Sequence, residues 1–149
     1  MKIGIGSDEN GFELKEELKN FLKDAQYEVI DYGCNSGEKV DYPNVSFEVA
    51  QDISDNKLDR GILICGTGIG MAIAACKYPG IRAALCHDTY SAERAQLSNN
   101  AQIITIGAKI IGPEVAKKVI EAYLKTEWAK GSERKVNLII EKENEFLKE

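Results

Sequence analysis

The sequence predicts an α/β fold in which a five-stranded parallel sheet is covered by helices on both faces. Three observations support this prediction: strand-like and helix-like segments alternate five times, the segment RGILIC is apolar after its first residues, and a further amphipathic helix follows the fifth pair. Strands buried on both faces show such apolar runs, and parallel strands need crossover helices between them. We therefore expect a Rossmann-like three-layer αβα sandwich with an extra C-terminal helix.

Each predicted strand is followed by a predicted helix. The strands are KIGIGS (2–7), YEVIDYG (27–33), RGILIC (60–65), IRAALC (81–86) and AQIITIG (101–107). The helices are FELKEELKNFLKDA (12–25), YPNVSFEVAQDIS (42–54), GTGIGMAIAACK (66–77), DTYSAERAQLS (88–98) and GPEVAKKVIEAYLKT (112–126). Pro43 and Pro113 suit the first turns of their helices. The Ala and Ile content after the glycines predicts that the third helix is buried.

The last segment, 130–149, predicts a sixth helix that comes after the sheet is complete. Ser132 is a suitable N-cap for it. The apolar face of this helix comprises Val136, Ile139, Ile140, Phe146 and Leu147. This face could pack on the sheet of its own chain or against a second subunit, and we favour the second subunit. Residues 1–149 are expected to form a single domain.

Composition excludes several classes of function. Basic residues number 19 and acidic residues 24, so the chain has no electrostatic footprint for a nucleic acid. No stretch approaches the roughly 18 apolar residues of a membrane span, and the N-terminus does not resemble a secretory signal. We expect no membrane association and a cytoplasmic location. The four cysteines lack CxxC spacing, which predicts free thiols and neither a disulfide framework nor a zinc site.

The segment ILICGTGIG (62–70) is the strongest candidate for chemistry. In an open parallel sheet ligands bind beyond the carboxyl ends of the strands, and Cys65 stands at such an end, before glycines that open a helix. The backbone N–H groups of this loop, at a helix N-terminus, suit an oxyanion or a phosphate. They would stabilise a thiolate, which favours Cys65 as a base or nucleophile over a small core residue. Cys34, Cys76 and Cys86 have no such loop and are interpreted as structural.

Other phosphate-binding motifs fit this chain poorly. The loop has no GK[ST] and does not follow the first strand, so neither a nucleoside-triphosphate P-loop nor a dinucleotide-binding fingerprint is indicated. A phosphocysteine carrier of the sugar phosphotransferase type has its Cys-Gly loop after the first strand, whereas this loop follows the third. That carrier is therefore a weaker hypothesis.

Nearly the whole chain resembles one family of enzymes. The segments GSDENGFELK, VIDYG, VDYP, GILICGTGIGMAIAACKYPGIRA, YSAERA and NNAQIITIGAKIIGPEVAK resemble ribose-5-phosphate isomerase B and the galactose-6-phosphate isomerase subunits. The resemblance implies aldose–ketose isomerisation of a phosphorylated sugar, with no metal or other cofactor. It also implies a homodimer with active sites at the subunit interface, and it leaves open whether dimers pair into tetramers.

The resemblance assigns roles to particular residues. Isomerisation moves a proton between C1 and C2 through a cis-enediol(ate), which needs a base and donors for the growing negative charge. Cys65 matches the base, while Tyr42 and Asn99 match substrate-contacting positions. Asp8 matches a residue that shuttles protons on the sugar hydroxyls, with a helix-capping aspartate as the alternative. The groups that match the oxyanion stabiliser are the Thr67 hydroxyl and the backbone of Gly66, Gly68, Ile69 and Gly70.

Two departures from the family pattern concern histidines. Members that use ribose 5-phosphate read DHxG after the first strand and HND after the fourth helix, where this chain has Glu9 and Ser98 in place of histidine. The second of those histidines opens the furanose ring. An aldotetrose 4-phosphate has no free hydroxyl placed to close such a ring, and 87–112 also resembles the branch of the family that acts on erythrulose 4-phosphate. We therefore expect a tetrose phosphate as substrate, with ribose 5-phosphate as the alternative.

The phosphate-binding arginines of the family also change. They align with Gly131 and Lys135 near the C-terminal helix and with Lys109 after the fifth strand. Phosphate binding is therefore expected to depend on Lys109, Lys135 and Arg134. Because so many polar groups are replaced, a non-catalytic sugar-phosphate-binding protein is the second class of function that the sequence allows.

The roles of two polar residues stay open. His87, the one histidine of the chain, is either a loop residue in solvent, which we favour, or a replacement acid/base near the substrate. Glu9 would repel a phosphate, so it is expected to face a sugar hydroxyl, pair with a lysine or point away from the site.

Overall fold

The computed structural model describes residues 1–148 and contains one parallel sheet. Its strands are β1 (Lys2–Ser7), β2 (Glu28–Asp31), β3 (Arg60–Cys65), β4 (Ala83–Leu85) and β5 (Ile103–Gly107). The order of the five strands within these residues is β2-β1-β3-β5-β4. The last strand in sequence is therefore inserted between β3 and β4, so that β1, β3 and β5 form the centre of the sheet.

Helices cover both faces of this sheet. They are α1 (Phe12–Asp24), α2 (Tyr42–Ser54), α3 (Ile69–Lys77), α4 (Thr89–Leu97), α5 (Pro113–Leu124) and α6 (Glu133–Leu147). One core cluster joins the sheet to α1, α4 and α5, and the other joins it to α2 and α3. The predicted three-layer αβα fold with an extra C-terminal helix is thus confirmed. None of the helices described within residues 1–148 is long and apolar enough to cross a membrane.

Strand β3 determines on which face the cysteine lies. All of its residues are buried, as expected for a central parallel strand. Because successive side chains point to opposite faces, Ile62 and Ile64 join the core beneath α1 and α5, whereas Leu63 and Cys65 join the core beneath α2 and α3. The thiol of Cys65 therefore lies on the α2 and α3 side of the sheet, at its carboxyl edge.

The prediction that α3 is a buried helix holds for only one of its faces. Met71, Ala74 and Ala75 are buried, but the side chains of Ile69 and Ile73 are 50% and 57% exposed. Ile69 and Ile73 are one helical turn apart, so they form an apolar ridge beside the Cys65 loop. Both faces of the helix are apolar, with isoleucines on the exposed face and Met71 and alanines on the buried one, so the sequence pattern gave no sign of which face was free.

Helix α6 lies largely outside the core. Val136 is buried, whereas Leu138, Ile139, Phe146 and Leu147 are exposed. The helix therefore does not pack its apolar face on the sheet of its own chain. Ser132 occupies the N-cap position, but its side chain accepts no hydrogen bond from the helix, so the predicted capping is not observed.

Candidate active site

The strand order places three loops side by side at the carboxyl edge of the sheet. The chain passes from β1 to β2 on one side and returns to β3 on the other, so the topological switch point lies between β1 and β3. Asp8 follows β1 directly and Cys65 ends β3. Gly107, which ends β5, is in register with Cys65. Ligands of open parallel sheets bind at such a crevice.

The loop after β3 is folded around the sulfur of Cys65. The backbone N–H of Gly68 donates a hydrogen bond to Sγ over 3.1 Å. Gly68 has a φ of 78°, and a Cβ there would lie 2.7 Å from Leu85 Cδ1 and 2.9 Å from the Ile106 carbonyl carbon. Thr105 Oγ1 holds the same residue from the other side by donating to the Gly68 carbonyl over 2.8 Å. Only glycine fits this position, and its amide is aimed at the atom that would carry a thiolate charge.

Several other amides of the loop remain available for a ligand. Within residues 1–148, the N–H groups of Gly66, Thr67 and Gly70 donate to no protein acceptor. They lie at the N-terminus of α3, where the helix dipole favours negative charge. Ile69 differs, because its N–H donates to Thr67 Oγ1 over 3.2 Å. Of the predicted oxyanion donors, the Ile69 and Gly68 amides are therefore already engaged, while those of Gly66 and Gly70 are free.

A cavity of about 480 Å³ opens in front of this loop. The predicted site residues that line it are Asp8, Tyr42, Cys65, Gly66, Thr67, Ile69 and Gly70. The ring of Tyr42 lies against the backbone of Gly70, where a Cβ would be only 2.4 Å from ring carbons. The structure thus brings most of the predicted catalytic and substrate-binding residues into one cavity.

Two further residues line the cavity that were not among the predicted site residues. Asn10 follows Asp8 closely, and its place in the polar stretch after β1 was the available signal. Ile73 lies one turn after Ile69, and the prediction of a buried α3 concealed it. They add an amide donor and an apolar wall to the cavity.

Asp8 lines the cavity and also accepts hydrogen bonds from its own loop. Its Oδ1 accepts hydrogen bonds from the N–H groups of Asn10 over 3.0 Å and Gly11 over 3.2 Å. These contacts hold the turn that precedes α1, but the N-cap of α1 is Gly11, so Asp8 does not cap the helix as the alternative interpretation had it. The side chain is nevertheless adjacent to the same cavity as the Cys65 thiol. A role in the turn and a place beside the cavity are compatible, because Oδ1 supports the turn while Oδ2 accepts only a 3.5 Å hydrogen bond from Asn10 Nδ2.

Glu9 and Lys109, which follow β1 and β5, are held by different contacts. Glu9 Oε2 accepts a hydrogen bond from the Val40 N–H over 3.2 Å, and hydrogen bonds to its own amide and to that of Val40 lower its pKa. Glu9 therefore points toward the loop before α2 and is not among the residues that line the Cys65 cavity. Lys109 lies across the loop, where its N–H donates to the Gly66 carbonyl over 3.0 Å and its stem covers Gly66. Its exposed ammonium group is the cation that the structure brings next to the cysteine loop.

Four predicted residues lie away from this cavity within one chain. Ser98 Oγ accepts a 3.4 Å hydrogen bond from Arg94, and Asn99 Nδ2 donates to the Arg94 carbonyl over 3.1 Å. Arg134 and Lys135 are exposed on the first turn of α6. None of the four lines the cavity in front of Cys65. A single chain therefore does not assemble all the predicted phosphate and substrate contacts.

The favoured interpretation of His87 as a loop residue in solvent is wrong. The side chain is partly buried, and its Nε2 accepts a hydrogen bond from the Gly107 N–H over 2.8 Å. Burial lowers the pKa of His87, although the neighbouring Asp88 carboxylate acts in the opposite direction. The physical reason is the strand order, which places the loop after β4 beside the end of β5. The imidazole does not line the Cys65 cavity.

The cysteines are free thiols, as predicted. Cys34 and Cys86 are buried away from the cavity, and burial raises the pKa of Cys86 to about 12. A thiol with such a pKa is protonated at neutral pH and is not nucleophilic. Within the described part of the chain, no three His, Cys, Asp or Glu side chains converge as metal ligands do.

Several known proteins are similar to this chain. The model of the family Ribose/Galactose Isomerase matches residues 3–139. The chain is 51% identical over 142 residues to a protein of Listeria innocua named Ribose-5-P isomerase B, covering 95% of this chain and 96% of that protein. It is 50% identical over 132 residues to D-erythrulose-4-phosphate isomerase of Pectobacterium atrosepticum, covering 88% and 87%.

A solved structure of ribose-5-phosphate isomerase B from Clostridium thermocellum superposes with a TM-score of 0.95 at 44% identity, covering 98% of this chain and 99% of that one. Sequence and fold thus agree over nearly the whole length of each chain. This agreement confirms that the protein is an enzyme, as predicted from the loop and the segments around it. The chain belongs to the ribose/galactose isomerase family and is a sugar-phosphate isomerase.

Proposed function

We propose that this enzyme interconverts D-erythrose 4-phosphate and D-erythrulose 4-phosphate through a cis-enediol(ate), with Cys65 as the base. The observation that carries the proposal is one cavity lined by Cys65 and by Gly66, Thr67 and Gly70, whose amides donate to no acceptor within residues 1–148. Such a site provides a group to take a carbon-bound proton and donors to stabilise the charge that results.

The chemistry can be followed atom by atom. The Cys65 thiolate takes the proton from C2 of the aldose, and the electron pair of that C–H bond moves toward the C1 carbonyl, whose oxygen becomes negative. The free amides and the Thr67 hydroxyl donate hydrogen bonds to this enediolate. The proton returns from Cys65 to C1, while the proton on the C2 hydroxyl passes to O1. Asp8, which is adjacent to the cavity, is the carboxylate that we assign to this second transfer.

The choice of a tetrose rests on the missing ring-opening residue. The chain has one histidine, and the Nε2 of His87 is bonded to Gly107 instead of facing the cavity. A cyclic pentose phosphate needs an acid/base to open its ring, whereas an aldotetrose with phosphate on O4 has no free hydroxyl with which to form a furanose. Ser98 stands at the position of the family's ring-opening histidine, and the imidazole of His87 is engaged with Gly107, which supports an open-chain substrate.

Ribose 5-phosphate is the second candidate substrate. It is favoured by the relatives named ribose-5-phosphate isomerase B, one of which is 51% identical. The relative named D-erythrulose-4-phosphate isomerase is 50% identical, so identity alone does not separate the two substrates. The proposal for a tetrose depends on Glu9, Ser98 and the hydrogen-bonded state of His87.

One assay compares the candidates. The same enzyme preparation is given erythrulose 4-phosphate, ribulose 5-phosphate and tagatose 6-phosphate, and kcat/KM is measured for each, with Cys65→Ala as the matched control. We expect the highest kcat/KM for erythrulose 4-phosphate. A strong preference for ribulose 5-phosphate would refute the open-chain argument. Tight binding of these sugars without turnover of any would contradict the isomerase mechanism itself.

We further propose that two copies of the chain complete each site. The exposed face of α6 forms an apolar groove of about 550 Å³, whose lining includes Leu138, Ile139 and Phe146. The side chains of Ile139 and Phe146 are 54% and 78% exposed, an unusual arrangement for large apolar groups on a lone subunit. A second copy that covers this face would supply Asn99, Ser98, Arg134 and Lys135, which lie outside the Cys65 cavity of their own chain. Their cations would join Lys109 around the phosphate.

Subunit mixing tests this shared site. Cys65→Ala and Asn99→Ala are each expected to be inactive. After dissociation and mixing in equal amounts, about one quarter of wild-type activity should return, because half of the dimers are mixed and each mixed dimer has one intact site. The matched control mixes Cys65→Ala with Thr67→Ala, whose defects lie in the same loop, and should recover nothing. Full retention of activity in a monomer would overturn the proposal.

A further inference from the structure

His87 connects the edge of the sheet to the end of its central strand β5. Its Nε2 lies 2.8 Å from the Gly107 nitrogen and accepts the N–H of that residue. An imidazole nitrogen that accepts a hydrogen bond carries no proton, so a neutral His87 must carry its proton on Nδ1. The contact therefore exists only while His87 is neutral, since an imidazolium would present a second donor to the Gly107 N–H.

Gly107 is in turn packed against the cysteine loop. It is in register with Cys65, and a Cβ at Gly107 would lie 2.7 Å from both the carbonyl carbon and the oxygen of Thr67. The next residues continue this attachment, because the Ala108 N–H donates to the Cys65 carbonyl over 2.8 Å and the Lys109 N–H donates to the Gly66 carbonyl over 3.0 Å. Any displacement of Gly107 is transmitted to the loop that holds the thiol and the free amides.

We propose that His87 is a positioning residue for the Cys65 loop, acting through its hydrogen bond with Gly107. It touches neither the substrate cavity nor the thiol. Its place in the reaction is to fix the end of β5, and through it the distance between the Cys65 sulfur and the amides that stabilise the enediolate. This inference rests on the proposed role of Cys65 as base.

The surroundings of His87 favour its neutral form. Burial lowers its pKa, while the adjacent Asp88 raises it. The Asp88 carboxylate is turned toward α4, where it accepts hydrogen bonds from Ser91 N over 2.7 Å and Ser91 Oγ over 2.8 Å. The other titratable groups near this contact are Cys86 before His87, Lys109 after Gly107, and Cys65 on the neighbouring strand. Protonation of His87 at acidic pH would remove the bond to Gly107.

A pair of substitutions separates positioning from acid/base chemistry. His87→Gln keeps an acceptor near the Nε2 position but cannot be protonated, whereas His87→Leu has no acceptor. We expect His87→Gln to retain wild-type kcat at neutral pH and His87→Leu to lose about 10- to 100-fold in kcat with little change in KM, because small misplacements of catalytic groups are costly. Equal losses in both variants would mean that the imidazole itself takes part in the chemistry. An unchanged kcat in a folded His87→Leu would also overturn the proposal.

The pH dependence supplies a readout that does not require His87→Leu to fold. The ratio of kcat for His87→Gln to kcat for the wild type should rise as the pH falls through the pKa of His87, and the contribution of Cys65 cancels in this ratio. The amide resonance of Gly107 in ¹⁵N spectra should titrate in the wild type and not in His87→Gln, whichever substrate is used. A Gly107 resonance that does not titrate refutes the contact, whereas an active Cys65→Ala refutes only the proposed role of the thiol.

Discussion

The backbone N–H of Gly68 donates to the sulfur of Cys65 across 3.1 Å, within the same short loop. Gly68 reaches this place with a left-handed backbone conformation and lies against Leu85 and Ile106. The donor is therefore fixed by packing on the sheet as well as by the local turn. This contact fixes the sulfur of Cys65 relative to the loop whose free amides belong to the same cavity.

Replacement of Cys65, the proposed base, should abolish exchange of the carbon-bound proton of the substrate with solvent. Cys65→Ser keeps the size of the side chain, but a serine hydroxyl is far less acidic than a thiol, so we expect a loss of about 10²- to 10⁴-fold in kcat. The measurement is solvent deuterium incorporation next to the carbonyl of the substrate, followed by NMR. Cys76→Ser is the matched control, since the exposed Cys76 lies outside the cavity and should leave the rate unchanged. Wild-type exchange by Cys65→Ser would refute the assignment.

A methyl group at position 68 should damage both stability and rate. Gly68→Ala combines a positive φ with contacts under 3.0 Å to Leu85 Cδ1 and the Ile106 backbone, so the loop must move. Gly37→Ala is the control, because Gly37 has a φ of 74° but nothing within 4 Å of its added Cβ. We expect Gly37→Ala to cost about 1 kcal/mol of unfolding free energy with unchanged kcat. Gly68→Ala should cost more and lose kcat; equal effects of the two changes in urea unfolding and turnover would contradict this account.

The contact between Tyr42 and Gly70 should appear as an energetic coupling. Gly70→Ala places a Cβ 2.4 Å from the Tyr42 ring, which would be forced out of its place against the loop. Tyr42→Ala makes room for that methyl group. We therefore expect the double variant to be more stable than the sum of the single changes predicts, by about 1 kcal/mol or more, in a double-mutant cycle of urea unfolding. Additive single effects would show that the ring relaxes without cost.

An ion pair between the buried Lys15 and the partly exposed side chain of Asp31 should make stability depend on pH. Lys15 is 1% exposed, and its Nζ donates to both Asp31 oxygens over 2.8 and 2.9 Å and to the Cys34 carbonyl over 2.9 Å. Burial alone would raise the pKa of Asp31, but hydrogen bonds from Lys15 and Lys19 outweigh it, so the pKa is lowered. The contribution to stability is present above the unfolded-state pKa of about 4 and is lost as the pH falls through the lower folded-state pKa.

Asp31→Asn tests this ion pair. At neutral pH we expect it to cost about 1.5–3 kcal/mol of unfolding free energy, because Lys15 and Lys19 lose their bonds to this carboxylate and Lys15 keeps only the Glu16 carboxylate, at 3.2 Å. The cost should shrink as the pH falls toward 3, where the wild type also loses the carboxylate charge. Asp24→Asn, at an exposed position at the end of α1, is the charge-matched control and should change little. A cost for Asp31→Asn that does not vary with pH would contradict the argument.

Local sequence patterns predicted more of the candidate site than of the strand order. Cys65, Asp8 and the glycine loop could be placed together because polar residues at the carboxyl ends of parallel strands meet at one edge of the sheet. The insertion of β5 between β3 and β4 left no signal, since the composition of a short strand does not specify its neighbour in the sheet. The bond between His87 and Gly107 depends on that insertion and was therefore missed.

Other features of the structure were not predicted from the sequence, for different reasons. The exposed side of α3 was not predicted because both faces of the helix are apolar, with Ile69 and Ile73 on the exposed face. Asn99 and Arg134 were expected at the substrate, but within one chain they lie outside the cavity. The periodicity of a sequence indicates how one chain folds. It does not predict contacts that form only between two copies of the chain.

The position of β1, β3 and β5 at the centre of the sheet determines how the enzyme loses activity on heating. Each of these strands has a hydrogen-bonded neighbour on both sides, whereas β2 and β4 are short edges. Amide hydrogens of the central strands should therefore exchange only when the whole domain opens, and those of the edges through local fraying. Since Asp8, Cys65 and Gly107 lie at or just beyond the ends of the central strands, fraying at β2 leaves the reacting groups in place. Thermal inactivation should coincide with global unfolding and should not precede it.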